Sequence, residues 1–309
     1  MHVVAVIVTY FPSHERLKSQ LDVLVKQAQH VVIIDNTPTL WDKSGLNYSV
    51  DIVSWLAFQI NLGLATGLNM GIAKAKQLGA SHVLLMDQDS VPHAEMIQHL
   101  KKAFISATSL DNLAAVGPNF IDDRGEKFTP FWTVGFPKNR ASQSQKKSPY
   151  VETDFLITSG SLVCMQALTK IGVMNESLFI DNVDLEWCLR TRAEGWRLLG
   201  VPHAYLSHQL GDSHMRAPWF AQILGKQFIV QHNATRLYYI MRNRILLYKM
   251  PHVPMTWIAQ DLLRLPWKFT ISILASSEKI AVTNAMLLGI WHGLVNIDGK
   301  KPNRSTQDA

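Results

Sequence analysis

Two carboxylates, Asp87 and Asp89, directly follow an apolar run and are separated by one residue. In an extended segment their side chains point to the same side, because direction alternates with a period of two. Carboxylate oxygens are the ligands that Mg²⁺ and Mn²⁺ prefer, and such cations then recruit substrate phosphates. The spacing therefore indicates a cation site for a phosphorylated ligand, although a solvated turn can show the same bare pattern.

A second acidic group opens a helix that the pattern predicts from about residue 182 to 194. Asp181 and Asp184 are three positions apart, a spacing at which two side chains share one face of a helix. One of them could accept a proton from a substrate hydroxyl. Acidic residues are also favoured at a helix N-terminus by the helix dipole, and the segment alone leaves the two interpretations equal.

Three further features could carry chemistry. The segment 61–71 is rich in small residues and precedes a helix, which suits either close approach of an anion to the backbone or tight helix packing. It lacks the glycine fingerprint of dinucleotide-binding folds. His208 follows an apolar stretch, where an imidazole could complete a metal shell or be structural. Arg242 could clamp a diphosphate through its planar donors or lie on a solvated helix face.

The elements that must position these residues alternate between apolar strand-like runs and helical patterns over the first 120 residues. This alternation is typical of a parallel α/β sheet, with strands predicted at 3–9, 31–34, 51–54 and 82–86. Ligands of such sheets bind beyond the carboxyl ends of the strands. Polar residues follow three of these ends at Thr9-Tyr10, Asp35-Asn36 and Asp87, so we expect one crevice there.

The rest of the chain divides into a polar stretch, a second β-rich part and a helical end. Residues 121–150 predict a flexible loop or lid, and strand-like runs return at 155–157 and 162–165. Helices are expected near 228–249, 255–276 and 280–295. The predicted organisation is a domain over 1–225, with halves at about 1–120 and 150–225, a basic amphipathic helical extension over 226–298, and a disordered tail over 299–309.

The net charge of +6 is concentrated at one end of the chain. Residues 1–225 hold 19 basic and 20 acidic residues, whereas residues 226–309 hold 11 and 4. A nucleic-acid binder would spread its positive charge over the globular body, so no nucleic-acid partner is expected. The split instead favours a local anionic partner, either a membrane surface or a phosphate-bearing ligand.

Cysteine and hydropathy patterns bear on the compartment. The two cysteines, Cys164 and Cys188, do not form a C-x-x-C pair, and a reducing cytoplasm is expected. No signal peptide is expected, and the late apolar stretch 280–297 is interrupted by polar residues that make it a poor membrane span. The sequence predicts a protein that is soluble or lies on a membrane.

Taken in order, the motifs resemble those of family 2 glycosyltransferases with the GT-A fold. They are Val-Ile-Val-Thr-Tyr10, Ile-Ile-Asp-Asn36, the segment 61–71, Leu-Leu-Met-Asp-Gln-Asp-Ser90 and Leu-Phe-Ile-Asp-Asn-Val-Asp-Leu-Glu186. With Tyr-Tyr-x-x-Arg-Asn243, the set is most similar to the bacterial L-rhamnosyltransferases and covers about residues 3–250. The resemblance implies an α/β, Rossmann-like, mostly parallel sheet with flanking helices, plus a C-terminal helical extension.

The resemblance also implies roles for individual residues. Those expected to hold the nucleoside or line the nucleotide pocket are Thr9, Tyr10, Asp35, Asn61 and Asn69, with Asp35 reading the base. Asp87 and Asp89 would bind Mg²⁺ or Mn²⁺, Asp89 more directly, and His208 would complete the metal shell. Arg242 would face the diphosphate of the donor.

The acidic helix departs from the family pattern at one position. Many relatives carry Glu-Asp where this chain has Asp181-Asn182, and there the second acid is commonly the catalytic base. An asparagine amide takes no proton near neutral pH, so Asn182 cannot fill that role. We therefore assign the base to Asp181, with Asp184 in reserve, in a single in-line displacement that inverts the anomeric carbon.

The implied donor is dTDP-L-rhamnose, and the implied acceptor is a glycan or lipid-linked sugar used in surface polysaccharide synthesis, such as O-antigen or capsule. Alternatives are transfer of galactofuranose or a hexose from a UDP-sugar, and a catalytically silent glycan- or nucleotide-binding protein.

Basic residues mixed with tryptophan beyond residue 249 suit an anionic membrane interface. The expected location is the bacterial cytoplasm, peripheral on the cytoplasmic face of the inner membrane. The cations and aromatic residues concerned are Lys249, Arg264, Lys268, Lys279, Lys300, Lys301, Trp257, Trp267, Phe269 and Trp291.

Overall fold

The structure is a computed structural model that describes residues 1–107, 111–122, 131–142, 148–208, 213–216 and 228–302. Contacts divide the chain into two compact units. The first comprises Met1–Val134, Asn139–Glu176 and Val183–Gln209, and the second comprises Gly135–Lys138, Ser177–Asn182 and Leu210–Ala309. The predicted domain boundary at residue 225 lies outside the described residues.

The first unit is built on a nine-stranded mixed sheet. Its strands and a separate short hairpin are β1 Val3–Thr9, β2 His30–Asp35, β3 Val53–Ala57, β4 His82–Asp87, β5 Ser90–Pro92, β6 Leu113–Asp122, β7 Trp132–Thr133, β8 Arg140–Ala141, β9 Val151–Thr153, β10 Ser161–Cys164 and β11 Arg197–His208. The order is β3-β2-β1-β4-β10-β6-β11-β5, with β9 also beside β11, while β7 and β8 form a separate two-stranded sheet. The pairs from β3 to β4 and the β6–β11 pair are parallel.

Helices cover the sheet, and this explains why β1 is buried along its whole length. The helices of the unit are α1 His14–Leu24, α2 Leu64–Gln77, α3 Met96–Ser106, α4 Met165–Ile171 and α5 Val183–Ala193. Leu17, Leu21 and Leu24 place the apolar face of α1 in the same core cluster as Ile7 and Ile33 of the sheet. The predicted α/β architecture, a mostly parallel sheet with flanking helices, is confirmed.

Four local predictions differ from the structure. Strand β3 lies at Val53–Ala57 rather than 51–54, and residues 155–157 form no strand. Within the stretch 121–150, the described part contains the β7–β8 hairpin, while 123–130 and 143–147 lie outside the described residues. Most of the expected glycine-rich loop is the first half of α2, because its glycines serve helix packing.

The second unit contains helices α6 Ala234–Tyr248, α7 Met255–Leu274 and α8 Lys279–Leu294, together with paired strands β12 Ser213–Arg216 and β13 Phe228–Gln231. The predicted C-terminal helical extension is confirmed, although residues 228–231 are a strand. A Cβ on Gly293 would lie 2.6 Å from Ile245 Cβ, so glycine allows α8 to approach α6 closely. None of the described helices is long and apolar enough to cross a membrane.

The tail was expected to be disordered from residue 299, and this is wrong for its first residues. The Gly299 amide donates to the Ser177 carbonyl at 2.7 Å. The Lys301 amide donates to the Tyr239 hydroxyl at 2.9 Å. Two hydrogen bonds from backbone amides therefore fix residues 299–301, and residues 303–309 lie outside the described part of the chain.

Candidate functional site

Strand register brings the predicted residues of β1, β2 and β4 to one edge of the sheet. Thr9 is the partner of Asp35, and Val8 is the partner of Asp87. The Thr9 hydroxyl donates to Asp35 Oδ1 at 3.2 Å, and the Thr37 amide donates to the same oxygen at 3.0 Å. Both Thr9 and Asp35 are buried, so these bonds hold the carboxylate in one orientation.

Tyr10 follows the last residue of β1 and is 46% exposed. Its backbone is held by Gln88, whose Oε1 accepts from the Tyr10 amide at 2.6 Å and whose Nε2 donates to the Tyr10 carbonyl at 3.1 Å. The neighbouring Phe11 ring meets the Tyr10 ring edge-on at 4.8 Å. A fixed backbone with an exposed ring suits stacking on a planar group such as a nucleobase.

The turn that follows Asp87 and contains Asp89 is fixed through its backbone. Gln20, fully buried on α1, donates through Nε2 to the Asp87 carbonyl at 2.7 Å and to the Ser90 carbonyl at 2.6 Å. Arg16 Nε donates to the Asp89 carbonyl at 2.7 Å. The predicted extended geometry is wrong beyond Asp87, because Gln88 and Asp89 form a turn between β4 and β5.

The sequence reasoning missed the supporting roles of Arg16 and Gln20. A signal was available for Gln20, since it lies between the buried Leu17 and Leu21 on the otherwise apolar face of α1. A polar side chain at such a position needs a hydrogen-bond partner, and the turn supplies two. Gln88, in the sequence simply the residue between the two acids, also holds the Tyr10 backbone.

The side chains predicted to bind a metal ion are Asp87, Asp89 and His208. Among the described residues, no three His, Cys, Asp or Glu side chains form a cluster that could hold a metal ion by themselves. Asp87 and Asp89 are both half-buried, and two carboxylates that leave positions for phosphate oxygens are a common Mg²⁺ donor set. The backbone of His208 pairs with Ser90, whereas its side chain lies outside the described part of the structure.

The segment 61–71 supports the edge by packing. Asn61 Oδ1 accepts from the Gly63 amide, and Asn36 Nδ2 donates to the Gly63 carbonyl, both at 2.9 Å. A Cβ on Gly67 would lie 2.9 Å from Val8 Cγ1, and one on Gly71 would overlap Val6. Of the two interpretations left open by the sequence, the structure therefore shows tight helix packing at Gly67 and Gly71.

Asn69 holds another part of the first unit. Its Nδ2 donates to the Met174 carbonyl at 2.9 Å and to Glu176 Oε1 at 2.8 Å, and its Oδ1 accepts from the Met174 amide at 2.9 Å. The amide group is therefore committed to residues 174–176. Any contribution of Asn69 to a nucleotide pocket runs through that segment.

The predicted helix face shared by Asp181 and Asp184 is wrong. Helix α5 begins at Val183, and Asp181 and Asn182 adopt left-handed φ values of 64° and 59°. Asp and Asn tolerate this region better than other residues with side chains, so the chain turns before the helix begins. Asp184 lies in the first turn of α5 in the first unit, while Asp181 belongs to the second.

Arg242 also differs from its predicted role. It is fully buried, so neither an open diphosphate clamp nor a solvated helix face describes it. Its Nε donates to Asn243 Oδ1 at 2.9 Å, and its terminal nitrogens donate to the carbonyls of Leu178 at 2.9 Å and Gly299 at 2.5 Å. Burial raises the pKa of Tyr239, whose ring lies 4.8 Å from the guanidinium carbon. A neutral ring and backbone oxygens therefore surround this cation.

Comparisons with known proteins bear on what this arrangement does. No family model matches the chain. It is 28% identical over 302 residues to the dTDP-rhamnosyl transferase RfbF of Shigella flexneri, covering 96% of this chain and 97% of that protein. It is 24% identical over 282 residues to the galactofuranosyltransferase GlfT1 of Mycolicibacterium smegmatis, covering 87% and 90%.

Two solved structures share the fold. The crystal structure of GalNAc-T7 with UDP, GalNAc and Mn²⁺ matches with a TM-score of 0.59 and 13% identity, over 96% of this chain and 56% of that one. The S. aureus TarS 1–349 complex with UDP-GlcNAc matches with a TM-score of 0.57 and 14% identity, over 94% and 82%. The chain is a glycosyltransferase with the GT-A fold. Within that class, its resemblance to the bacterial rhamnosyltransferases of family 2 is confirmed by the Shigella relative.

Proposed function

We propose that this glycosyltransferase transfers L-rhamnose from dTDP-L-rhamnose, with inversion, to a glycan or lipid-linked acceptor in surface polysaccharide synthesis. The observation that carries the proposal is the register that brings Thr9, Asp35 and Asp87 to one edge of the sheet. Ligands of such sheets bind at this edge. The match to a dTDP-rhamnosyl transferase along 96% of the chain supports the choice of sugar.

The nucleoside would bind at the ends of β1 and β2. Asp35, oriented by Thr9, would accept a hydrogen bond from the pyrimidine ring, and the exposed ring of Tyr10 would stack on the base. Asn61 and Asn69 would act indirectly, because their amides are bonded to neighbouring segments of the chain.

Asp87 and Asp89 would hold Mg²⁺ or Mn²⁺, and His208, whose backbone pairs with Ser90, is the proposed third ligand. Such an ion, when bound, supplies positive charge that stabilises the departing diphosphate. The chain contributes half-buried carboxylates on a turn whose carbonyls are held by Gln20 and Arg16. A turn fixed in this way keeps the donor set in place before the ligand binds.

Asp181 is the proposed base, and Asp184 is held in reserve. The acceptor hydroxyl loses its proton to the carboxylate as its oxygen bonds to the anomeric carbon. The bond from that carbon to the diphosphate oxygen breaks in the same step, and its electron pair leaves with the nucleotide. A positioned base of this kind contributes roughly two to four powers of ten in rate.

A panel of nucleotide sugars tests the donor. Purified protein supplied with Mn²⁺ and an acceptor extract should release dTDP from dTDP-rhamnose faster than it releases UDP from UDP-galactofuranose or UDP-hexoses. The Asp87→Asn/Asp89→Asn double variant is the matched control for contaminating activity. Preference for a UDP-sugar would overturn the rhamnose proposal in favour of the alternative that the 24% match to GlfT1 supports. Binding of dTDP-rhamnose without turnover would favour the silent binding protein that Asn182 suggests.

We further propose a peripheral position on an anionic membrane, at the cytoplasmic face of the inner membrane. Large apolar side chains are exposed on the outer faces of α7 and α8, opposite the faces that pack in the unit. They are Met255, Leu262, Leu263, Leu274, Ile280, Leu287, Trp291 and Leu294. The exposed cations Arg264, Lys279 and Lys300 belong to the same unit and suit anionic headgroups.

The set of residues predicted for this membrane surface changes with the structure. Lys249 Nζ donates to the carbonyls of Gly293 and Leu294 at 2.8 and 2.7 Å, and Lys268 pairs with Asp261 at 2.8 Å. Trp257 is only 8% exposed. These three residues therefore stabilise the second unit, and the exposed apolar residues carry the membrane proposal instead.

Sedimentation with vesicles tests the membrane proposal. The Leu287→Ser/Trp291→Ser variant should lose most of its binding to vesicles containing phosphatidylglycerol. A matched control, Leu40→Ser/Val50→Ser, removes residues of the first unit that are 82% and 80% exposed and should bind as the wild type does. Equal loss in both variants, or no binding by the wild type, would contradict the proposal.

A further inference from the structure

Residues 177–182, which we call the acidic loop, have an uncommon backbone. Phe179, Asp181 and Asn182 all lie in the left-handed region, with φ values of 62°, 64° and 59°. Residues with side chains seldom adopt this conformation, and a bulky aromatic residue does so least readily. Such a conformation persists only where the surrounding structure holds it, and it is concentrated at functional sites.

Asn243 on α6 forms the first set of hydrogen bonds to the acidic loop. Its Nδ2 lies 2.9 Å from the Leu178 carbonyl oxygen, 2.8 Å from that of Ile180 and 2.8 Å from that of Asp181. Arg242 Nε donates to Asn243 Oδ1 at 2.9 Å, which directs the amide nitrogen rather than the oxygen toward the loop. One buried amide group, with two N–H donors, thus lies within hydrogen-bond distance of three carbonyl oxygens in four residues.

Arg242 forms the second set of hydrogen bonds to the acidic loop. Its guanidinium donates to the carbonyls of Ser177 at 3.3 Å and Leu178 at 2.9 Å, and also to that of Gly299. In the part of the chain that the structure describes, no carboxylate forms an ion pair with this buried cation. Backbone oxygens of the loop and of the C-terminal segment therefore compensate its charge.

These hydrogen bonds determine the direction of the Asp181 side chain. In a planar trans peptide the carbonyl and the following amide point in opposite directions. Fixing the carbonyls of Ile180 and Asp181 therefore fixes both peptide planes that flank the Asp181 side chain. Arg236 Nε also donates to Asp181 Oδ1 at 3.2 Å. Arg236 and Asn243 are seven residues apart on α6, so they lie on the same helix face, two turns from each other.

We propose that Arg242 and Asn243 are positioning residues, which hold the acidic loop in its left-handed conformation and so aim the Asp181 carboxylate. The expected effect on catalysis rests on the proposed function, in which Asp181 is the base. The role of Arg242 and Asn243 in holding the loop does not depend on that function. If these hydrogen bonds are lost, the Asp181 carboxylate is displaced but the donor site is unchanged. We therefore expect turnover to fall while the affinity for donor stays the same.

The test uses Asn243→Asp, which replaces the amide donor with a carboxylate of the same shape, and Asn243→Ser as a milder second variant. The control is Tyr248→Phe, which removes a hydrogen bond to Asp261 Oδ2 of 2.7 Å from the same helix but does not contact the loop. Hydrogen exchange of the peptide covering 177–183, kcat and the KM for donor are measured at equal folded fraction, checked by urea unfolding.

We expect amide exchange in the acidic loop to rise at least about tenfold in the Asn243 variants, because the Asn243 amide no longer opposes local opening of the loop. We expect kcat to fall by about 10²-fold with donor KM within about twofold, the scale of a displaced catalytic group. Tyr248→Phe should show neither effect.

Unchanged exchange in both Asn243 variants overturns the inference whatever the activity. Faster exchange with wild-type kcat, in an enzyme that Asp181→Asn inactivates, overturns the positioning role and leaves the proposed function standing. If the wild type turns over no nucleotide sugar, the proposed function fails, and the exchange measurement still decides whether Asn243 holds the loop.

Discussion

The sheet edge of the first unit and the acidic loop of the second use polar residues in opposite ways. At the sheet edge, buried side chains such as Gln20 hold the backbone, while Asp87, Asp89 and the Tyr10 ring stay partly exposed. Beside the acidic loop, the charged side chain of Arg242 is itself buried against backbone carbonyls. A guanidinium suits carbonyl oxygens as well as phosphate oxygens, so its burial decides which of the two it binds.

The largest expected effect in this comparison is at the sheet edge. Asp89→Asn should lower turnover by about three powers of ten or more, because the charge that stabilises the leaving diphosphate is no longer held there. Turnover of dTDP-L-rhamnose, the proposed donor, is measured as a function of Mn²⁺ concentration to quantify this loss. Asp51→Asn, which changes an exposed carboxylate of the same unit, is the control and should behave as the wild type. Activity in Asp89→Asn near the wild-type level would remove Asp89 from the metal site.

A smaller effect is expected for the nucleoside contact. Asp35→Asn keeps an acceptor for Thr9 and Thr37 but removes the negative charge, so affinity for dTDP should fall about tenfold, near 1.4 kcal/mol. Calorimetric titration of dTDP in the presence of Mn²⁺ measures the change. An unchanged dissociation constant would show that Asp35 is a structural residue bonded only within the chain.

The last expected effect lies away from both regions and changes stability, but neither turnover nor donor binding. Burial, followed by the nearby N-terminal ammonium and Lys101, lowers the pKa of His82 to about 4 from its usual 6.5. As the pH falls from 6.5 to 4, the unfolded chain takes up the proton first, so stability is lost over that window, by at most about 3 kcal/mol. Above pH 6.5 the residue contributes no pH dependence. Urea unfolding should show a flatter pH profile for His82→Gln than for the wild type, and parallel profiles would contradict the assignment.

The sequence was informative about the sheet edge because strands and their ends leave a simple pattern. Apolar runs that stop at Thr9, Asp35 and Asp87 predicted both the parallel strands and the place where their polar ends meet. Periodicity did not distinguish a glycine-rich loop from a glycine-rich helix start, because Gly67 and Gly71 serve packing against β1.

The acidic loop was less accessible to sequence reasoning. Three left-handed residues before α5 break the helical spacing on which the pairing of Asp181 with Asp184 depended. The burial of Arg242 depends on carbonyls from residues 177, 178 and 299, which are 57 to 65 residues distant in the chain. Such contacts leave no local pattern, so the arginine was indistinguishable from one that binds phosphate.

We expect the donor diphosphate to be held at the sheet edge, whereas Arg242 acts on the acidic loop. Calorimetric titration of dTDP with Mn²⁺ into Arg242→Lys, compared with Asp89→Asn, tests this division of roles. We expect a dissociation constant within about twofold of the wild-type value for Arg242→Lys and at least about tenfold weaker binding for Asp89→Asn. Weakening of dTDP binding by Arg242→Lys as large as that caused by Asp89→Asn would contradict it and return Arg242 to the diphosphate.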